Sequence, residues 1–170
     1  MQQKVNLYPA AGVPGQEVNV HTAVYTPFNY ISDGTAAAGS FVFPKANTSQ
    51  NGSVAYPMAS SKGTGAVLGL VERTFSGTLS YDESGSAVYP AGHAVTIAVR
   101  GDYYASATGA ATVGQAVLCD PSTGAVTYGT AGAANDTGWT VKTAASAEGD
   151  LIIITNRGLS VAAAASDNVP

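Results

Sequence analysis

Residues 89–128 read YPAGHAVTIAVRGDYYASATGAATVGQAVLCDPSTGAVTY, and no helical periodicity runs through them. Val95, Ile97 and Val99 alternate with Thr96, Ala98 and Arg100, a period of two that sends one set of side chains into a core and the other toward a surface. This predicts a half-buried strand. Val117 and Leu118 then lead into Asp120-Pro121-Ser122-Thr123-Gly124, where Pro121 presets φ for a type I turn and Gly124 can take the left-handed conformation that closes a hairpin. Ala125–Tyr128 is the expected return strand.

The same extended character continues on both sides of this stretch. Val18, Val20, Thr22 and Val24 alternate with Asn19, His21, Ala23 and Tyr25 up to Pro27, predicting a strand. Ser40–Phe43 reads as a short aromatic strand, Gly65–Glu72 as a central one and Phe75–Ser80 as a shorter one. Trp139 and Val141 flank Thr140 in another, and Leu151–Thr155 (LIIIT) is apolar enough to predict a strand covered on both faces. Lys45–Ser53, Tyr81–Gly85 and Gly132–Thr137 read as loops, and Ala162–Ala165 is too short to nucleate a stable helix. Roughly nine to eleven short strands in one domain predict an all-β sandwich or barrel, possibly jelly-roll-like in form.

Composition agrees. Valine and isoleucine number 23 against 7 leucines, with 17 threonines beside them, and branching at Cβ favours extended backbone. Alanine accounts for 30 residues, so the core has to be built from little side-chain volume. The chain is 170 residues long, which suits one domain, and the expected division is an extended arm over 1–16 followed by a β domain over 17–170. The arm is restrained by Tyr8-Pro9 and Val13-Pro14 and lacks the apolar periodicity of a strand or helix.

Charge is scarce: Asp, Glu, Lys and Arg make up 11% of the chain, against roughly 25% in an average soluble protein. Charged groups are depleted from interface cores because their desolvation is costly, so a surface of this kind suits burial against other protein. The net charge is −4 and the seven basic residues are scattered singly, so no stripe exists to follow a phosphate backbone, and nucleic acid is not an expected partner. The first residues lack a secretory h-region and no apolar stretch reaches roughly 18 residues, so no membrane span is expected. The protein is expected to act where it is made, or to leave by lysis or assembly.

Groups that could perform chemistry are few. Cys119 stands alone and reads as a small buried apolar residue, which rules out an internal disulfide and a thiolate cluster. His21 and His93 have no metal-ligand spacing around them, Asp82 and Glu83 point to opposite faces of extended backbone, and Glu148 and Asp150 suit a loop. No catalytic set, cofactor or metal is expected. Asn47, Asn51 and Asn135 head glycosylation tripeptides that read as polar loops. Arg100-Gly101-Asp102 matches an adhesive tripeptide, but it falls at a strand end, where Gly101 is expected to turn the chain and the two charges to solvate the bend. Tyr103-Tyr104 is expected to place one ring in the core and one outward, where it could anchor a partner.

Several phrases in this order carry a resemblance. Pro9-Ala10-Ala11-Gly12-Val13-Pro14-Gly15-Gln16, then Pro90-Ala91-Gly92 with Val95-Thr96-Ile97 and Arg100-Gly101-Asp102-Tyr103, then Val113-Gly114-Gln115 leading to Asp120-Pro121 with Thr123-Gly124, together resemble the structural cement proteins of tailed bacteriophages. The resemblance implies a non-enzymatic β-rich protein, made in the host cytoplasm and carried on the outer surface of the virion. It further implies a homo-oligomer, dimer or trimer, that binds across major capsid protein subunits and reinforces the shell. Candidate contact residues are Tyr8, Pro9, Val13 and Pro14 in the arm, with Tyr103 and Tyr104. The alternative is a carbohydrate-binding or adhesive β-domain of a phage fibre or bacterial surface structure, using tyrosines and Trp139 as a platform. An enzyme stands third.

Overall fold

The structure, a computed structural model, describes residues 12–19, 22–46, 56–74, 80–81 and 87–157. Among them are fourteen strands: β1 Val24–Tyr25, β2 Tyr30–Ser32, β3 Phe41–Lys45, β4 Met58–Ser60, β5 Gly69–Val71, β6 Ser80–Tyr81, β7 Ala87–Val88, β8 Ala94–Val95, β9 Ile97–Arg100, β10 Asp102–Ser106, β11 Ala116–Cys119, β12 Val126–Gly129, β13 Asp136–Val141 and β14 Leu151–Thr155. No helix occurs among the described residues. A seven-stranded sheet has the order β1-β9-β5-β3-β4-β2-β8, a five-stranded sheet the order β10-β14-β13-β11-β12, and β6 pairs with β7 apart from both. The architecture is an all-β sandwich of two sheets, not a closed barrel.

The sandwich interior is filled from both layers. Phe41, Phe43, Leu70 and Ala98 of the seven-stranded sheet meet Tyr103, Val117, Trp139, Val141, Ile152 and Ile154 of the five-stranded sheet in one buried cluster. Trp139 sits at its centre, with Phe41 and Tyr103 each edge-on to its ring at 6.0 Å, the geometry that the aromatic quadrupole favours. A second cluster lies on the opposite face of the seven-stranded sheet, where Val42, Val71, Val95 and Ile97 are covered by Ala36, Ala38, Ala87 and Tyr89. Adjacent residues of one strand therefore feed different cores, Leu70 and Ala98 the first, Val71 and Ile97 the second.

This double burial corrects the half-buried strand expected over Val95–Val99. Ala98 is fully buried, Val99 is only half-buried, and Thr96 interrupts the run so that β8 and β9 lie apart in the sheet. Where both faces of a sheet are covered, alternation no longer separates inside from outside. Leu151–Thr155 departs the other way. Ile152 and Ile154 are buried, but Leu151 and Ile153 are half-buried, so one face of β14 stays partly open. Among the described residues, the strand expected over Val18–Val24 reduces to β1, an exposed edge pair, preceded by an isolated bridge between Glu17 and Tyr103. Within Gly65–Glu72 only Gly69–Val71 is strand, and it is central and buried.

The hairpin forms as read. Cys119 pairs with Val126, Gly124 adopts φ +73°, and the Gly124 and Ser122 amides donate to the Asp120 carbonyl and carboxylate. His21, Asn47, Asn51, Asp82, Glu83 and Ala162–Ala165 lie outside the described residues, as do Tyr8 and Pro9.

Arg100-Gly101-Asp102 bends at Gly101 as expected, but only one of its two charges is solvated. The bend lies between β9 and β10, and the chain changes sheets there. Gly101 has φ +149°, and a Cβ there would come 2.8 Å from the Tyr103 ring, so a side chain is excluded on both counts. Arg100 is exposed, but Asp102 is buried.

Candidate interaction surface

The residues leading into the domain are built onto the free edge of the five-stranded sheet. Gly15 N–H donates to Tyr104 O, Tyr104 N–H to Gln16 O and Val18 N–H to Asp102 O, so residues 15–18 run beside β10 and satisfy its open backbone groups. Val13-Pro14-Gly15-Gln16 forms a type II turn: Gln16 N–H donates to Val13 O, and Gly15 supplies φ +82° after Pro14. Arg73 locks it, its N–H donating to Gly15 O and its Nε to Pro14 O. The turn sends the preceding chain back across Tyr104, where Gly12 lies so close to the ring that a methyl group at that position would collide with it.

Of the six candidate contact residues, the described four divide clearly. Tyr103 is fully buried against Trp139 and belongs to the core, whereas Tyr104 is half-buried on the outer face of its sheet. Val13 is exposed and Pro14 half-buried at the turn. The structure thus gathers Val13, Pro14 and Tyr104 at one edge.

Beside them is a group that sequence reading missed. Asp102 Oδ2 accepts a hydrogen bond from Asn19 at 3.2 Å and lies 3.5 Å from Lys142 Nζ and 3.4 Å from Arg157. Burial alone would raise its pKa, but the neighbouring Thr155 hydroxyl, the hydrogen bond from Asn19 and the charges of Lys142 and Arg157 outweigh this and hold the carboxyl below its ordinary value, although its Oδ1 is buried without a hydrogen bond. One carboxylate thereby ties together the entering chain, the residue that follows β13 and the exit from β14. Nothing in the spacing of these four residues signals it, since they meet only through the sheet.

A groove of about 610 Å³ opens at one end of the sandwich, lined mainly by small side chains including Thr35, Ala38, Thr108 and Val126. Its ionisable lining groups are Arg73 and Glu148, and Arg73 is held by the turn. His93 is exposed elsewhere, and Asp150 accepts from the Ser146 and Ala147 amides as a loop cap. No group of three potential metal ligands occurs among the described residues. Cys119 is fully buried, and burial pushes its thiol up to about 12, away from the thiolate that reactivity requires. Asn135 donates its amide to Cys119 O.

The family described as "Structural cement protein (E217 gp24/Pam3 gp6)" matches residues 1–157 of the 170. No curated protein matches the chain.

Proposed function

Because this chain belongs to the structural cement protein family of phage, we infer that it decorates the outside of an assembled capsid, binding across neighbouring major capsid subunits and reinforcing them without catalysing a reaction. The observation that carries this reading is the family match over 1–157. The edge described above supports it. A segment entering through a rigid proline turn loses less conformational entropy on docking than a free one, and a chain with 11% charged residues can be buried with little desolvation. Association into a dimer or trimer multiplies weak contacts, as does repetition over a symmetric shell. Tyr8, Pro9, Val13, Pro14 and Tyr104 are the contacts assigned to the neighbouring subunit, with Tyr103 supporting Tyr104 from below.

The test is capsid binding by the full chain and by a variant lacking residues 1–11, which leaves the turn and the residues along β10 in place. The full chain is expected to co-sediment with capsids and to raise their resistance to heat, and the truncated chain to bind much more weakly. Unchanged binding after truncation would remove the arm from the reading. Failure of the full chain to bind would remove the capsid.

A further inference from the structure

We propose that the outer face of the five-stranded sheet, at its β10 edge, is the face laid against the capsid, and that the capsid patch it meets is rich in carboxylates. This rests on the capsid-binding reading above and assigns it an orientation and a chemistry.

Three observations lead there. The first is where the chain enters and leaves. Gly12 lies on the Tyr104 ring, and Arg157 reaches Asp102. Tyr104 and Asp102 are two residues apart on one strand, so they share a face and stand about 7 Å apart. The eleven residues before Gly12 and the thirteen after Arg157 are both attached at this face.

The second is which sheet is open. The seven-stranded sheet is covered on its far side by the chain's own second cluster. The five-stranded sheet has no second cluster outside it among the described residues, and its outer side chains, Tyr104 paired with Ile153 and Leu151 beyond, remain half-buried. Half-open apolar side chains of this kind form the centre of a contact, ringed by polar groups.

The third is charge. The Asp102 side chain is 2% exposed, while those of Lys142 and Arg157 are 45% and 39% exposed. Solvent therefore meets two cations whose balancing anion is hidden, on a chain with net charge −4. A partner that approaches this face is favoured by negative charge.

Thiol protection tests the orientation. Ser106 is exposed and lies on the same face as Tyr104, whereas His93 is exposed beside β8, at the far edge of the other sheet. The native Cys119 is buried and gives little background. With capsids bound, Ser106→Cys is expected to react with a maleimide at least about tenfold more slowly than when free, and His93→Cys at an unchanged rate. Equal labelling of bound and free Ser106→Cys, or protection of His93→Cys instead, would overturn the assigned face even though binding persisted. Absence of binding by the unsubstituted chain would refute the capsid reading itself.

Charge is tested separately. Lys142→Glu is expected to weaken capsid binding about tenfold at low ionic strength, with Lys142→Arg restoring it. Undiminished binding by a folded Lys142→Glu chain would overturn the carboxylate-rich partner. If Lys142→Glu does not fold, the unsubstituted chain decides: its affinity should fall with rising salt, and a salt-independent affinity would overturn the same point.

Discussion

The two faces of the seven-stranded sheet are filled by different means. Toward the five-stranded sheet the filling is volume: Phe41, Phe43, Leu70, Trp139, Ile152 and Ile154 interlock. Away from it the covering residues are mostly alanines, with one large side chain, Tyr89, that works as much through hydrogen bonds as through bulk. The Tyr89 hydroxyl donates to Glu72 O and accepts from the Thr74 amide, while Ser32 Oγ donates to the Tyr89 carbonyl and accepts from Gly34 N–H. An alanine-rich chain can cover both faces of a sheet because small side chains let loops approach closely and fasten there by polar contacts, which are worth most where water is excluded.

This contrast is open to attack in order of effect. Trp139→Ala should be the most damaging substitution, about 4 kcal/mol in chemical denaturation, because it removes the shared partner of Phe41 and Tyr103 and leaves a cavity between two stiff layers. Tyr89→Phe changes almost no volume and should still cost about 2 kcal/mol, since Thr74 N–H and Glu72 O lose their partner. A cost near zero would mean that the second face is held by packing after all. Ser32→Ala should cost about 1 kcal/mol by the same measurement, through the Tyr89 carbonyl and the Gly34 amide.

The smallest effect expected is that of acid. Burial acts to raise the pKa of Asp33 and Asp102, but Thr35 and Lys45 around the former, and Thr155, Asn19, Lys142 and Arg157 around the latter, bring both below the ordinary 3.8. A depressed folded pKa contributes stability that is present above 3.8 and lost as pH falls through the lower folded value. Glu72 runs the other way: burial raises it above 4.5, so its contribution is present below that value and lost as pH rises through the folded one. A thermal midpoint followed by circular dichroism should therefore fall below about pH 4, and Asp102→Asn should flatten that fall.

How much of this was legible in the sequence depended on whether one face or two were covered. β14 was read with its correct ends, and the β11–β12 hairpin and Trp139 were found, because a turn with fixed chemistry or a dense apolar run marks them locally. β9 was misread because Ala98, small enough to pass for a surface residue, packs into the interior. Asp102 was misread as solvated because a charge beside a turning glycine commonly faces water, while its partners are 40 or more positions away for Lys142 and Arg157 and 83 for Asn19. The docking of residues 15–18 onto β10 is likewise a backbone event and leaves no pattern of side chains to read.

The passage at Gly101 has a mechanical consequence. The two layers of the sandwich are not separate plates held by adhesion alone, since β9 belongs to one and β10 to the other with a single glycine between them. Tension applied to either plate is handed to its neighbour along covalent bonds at the middle of the chain, and to slide the plates apart the backbone itself would have to be redrawn.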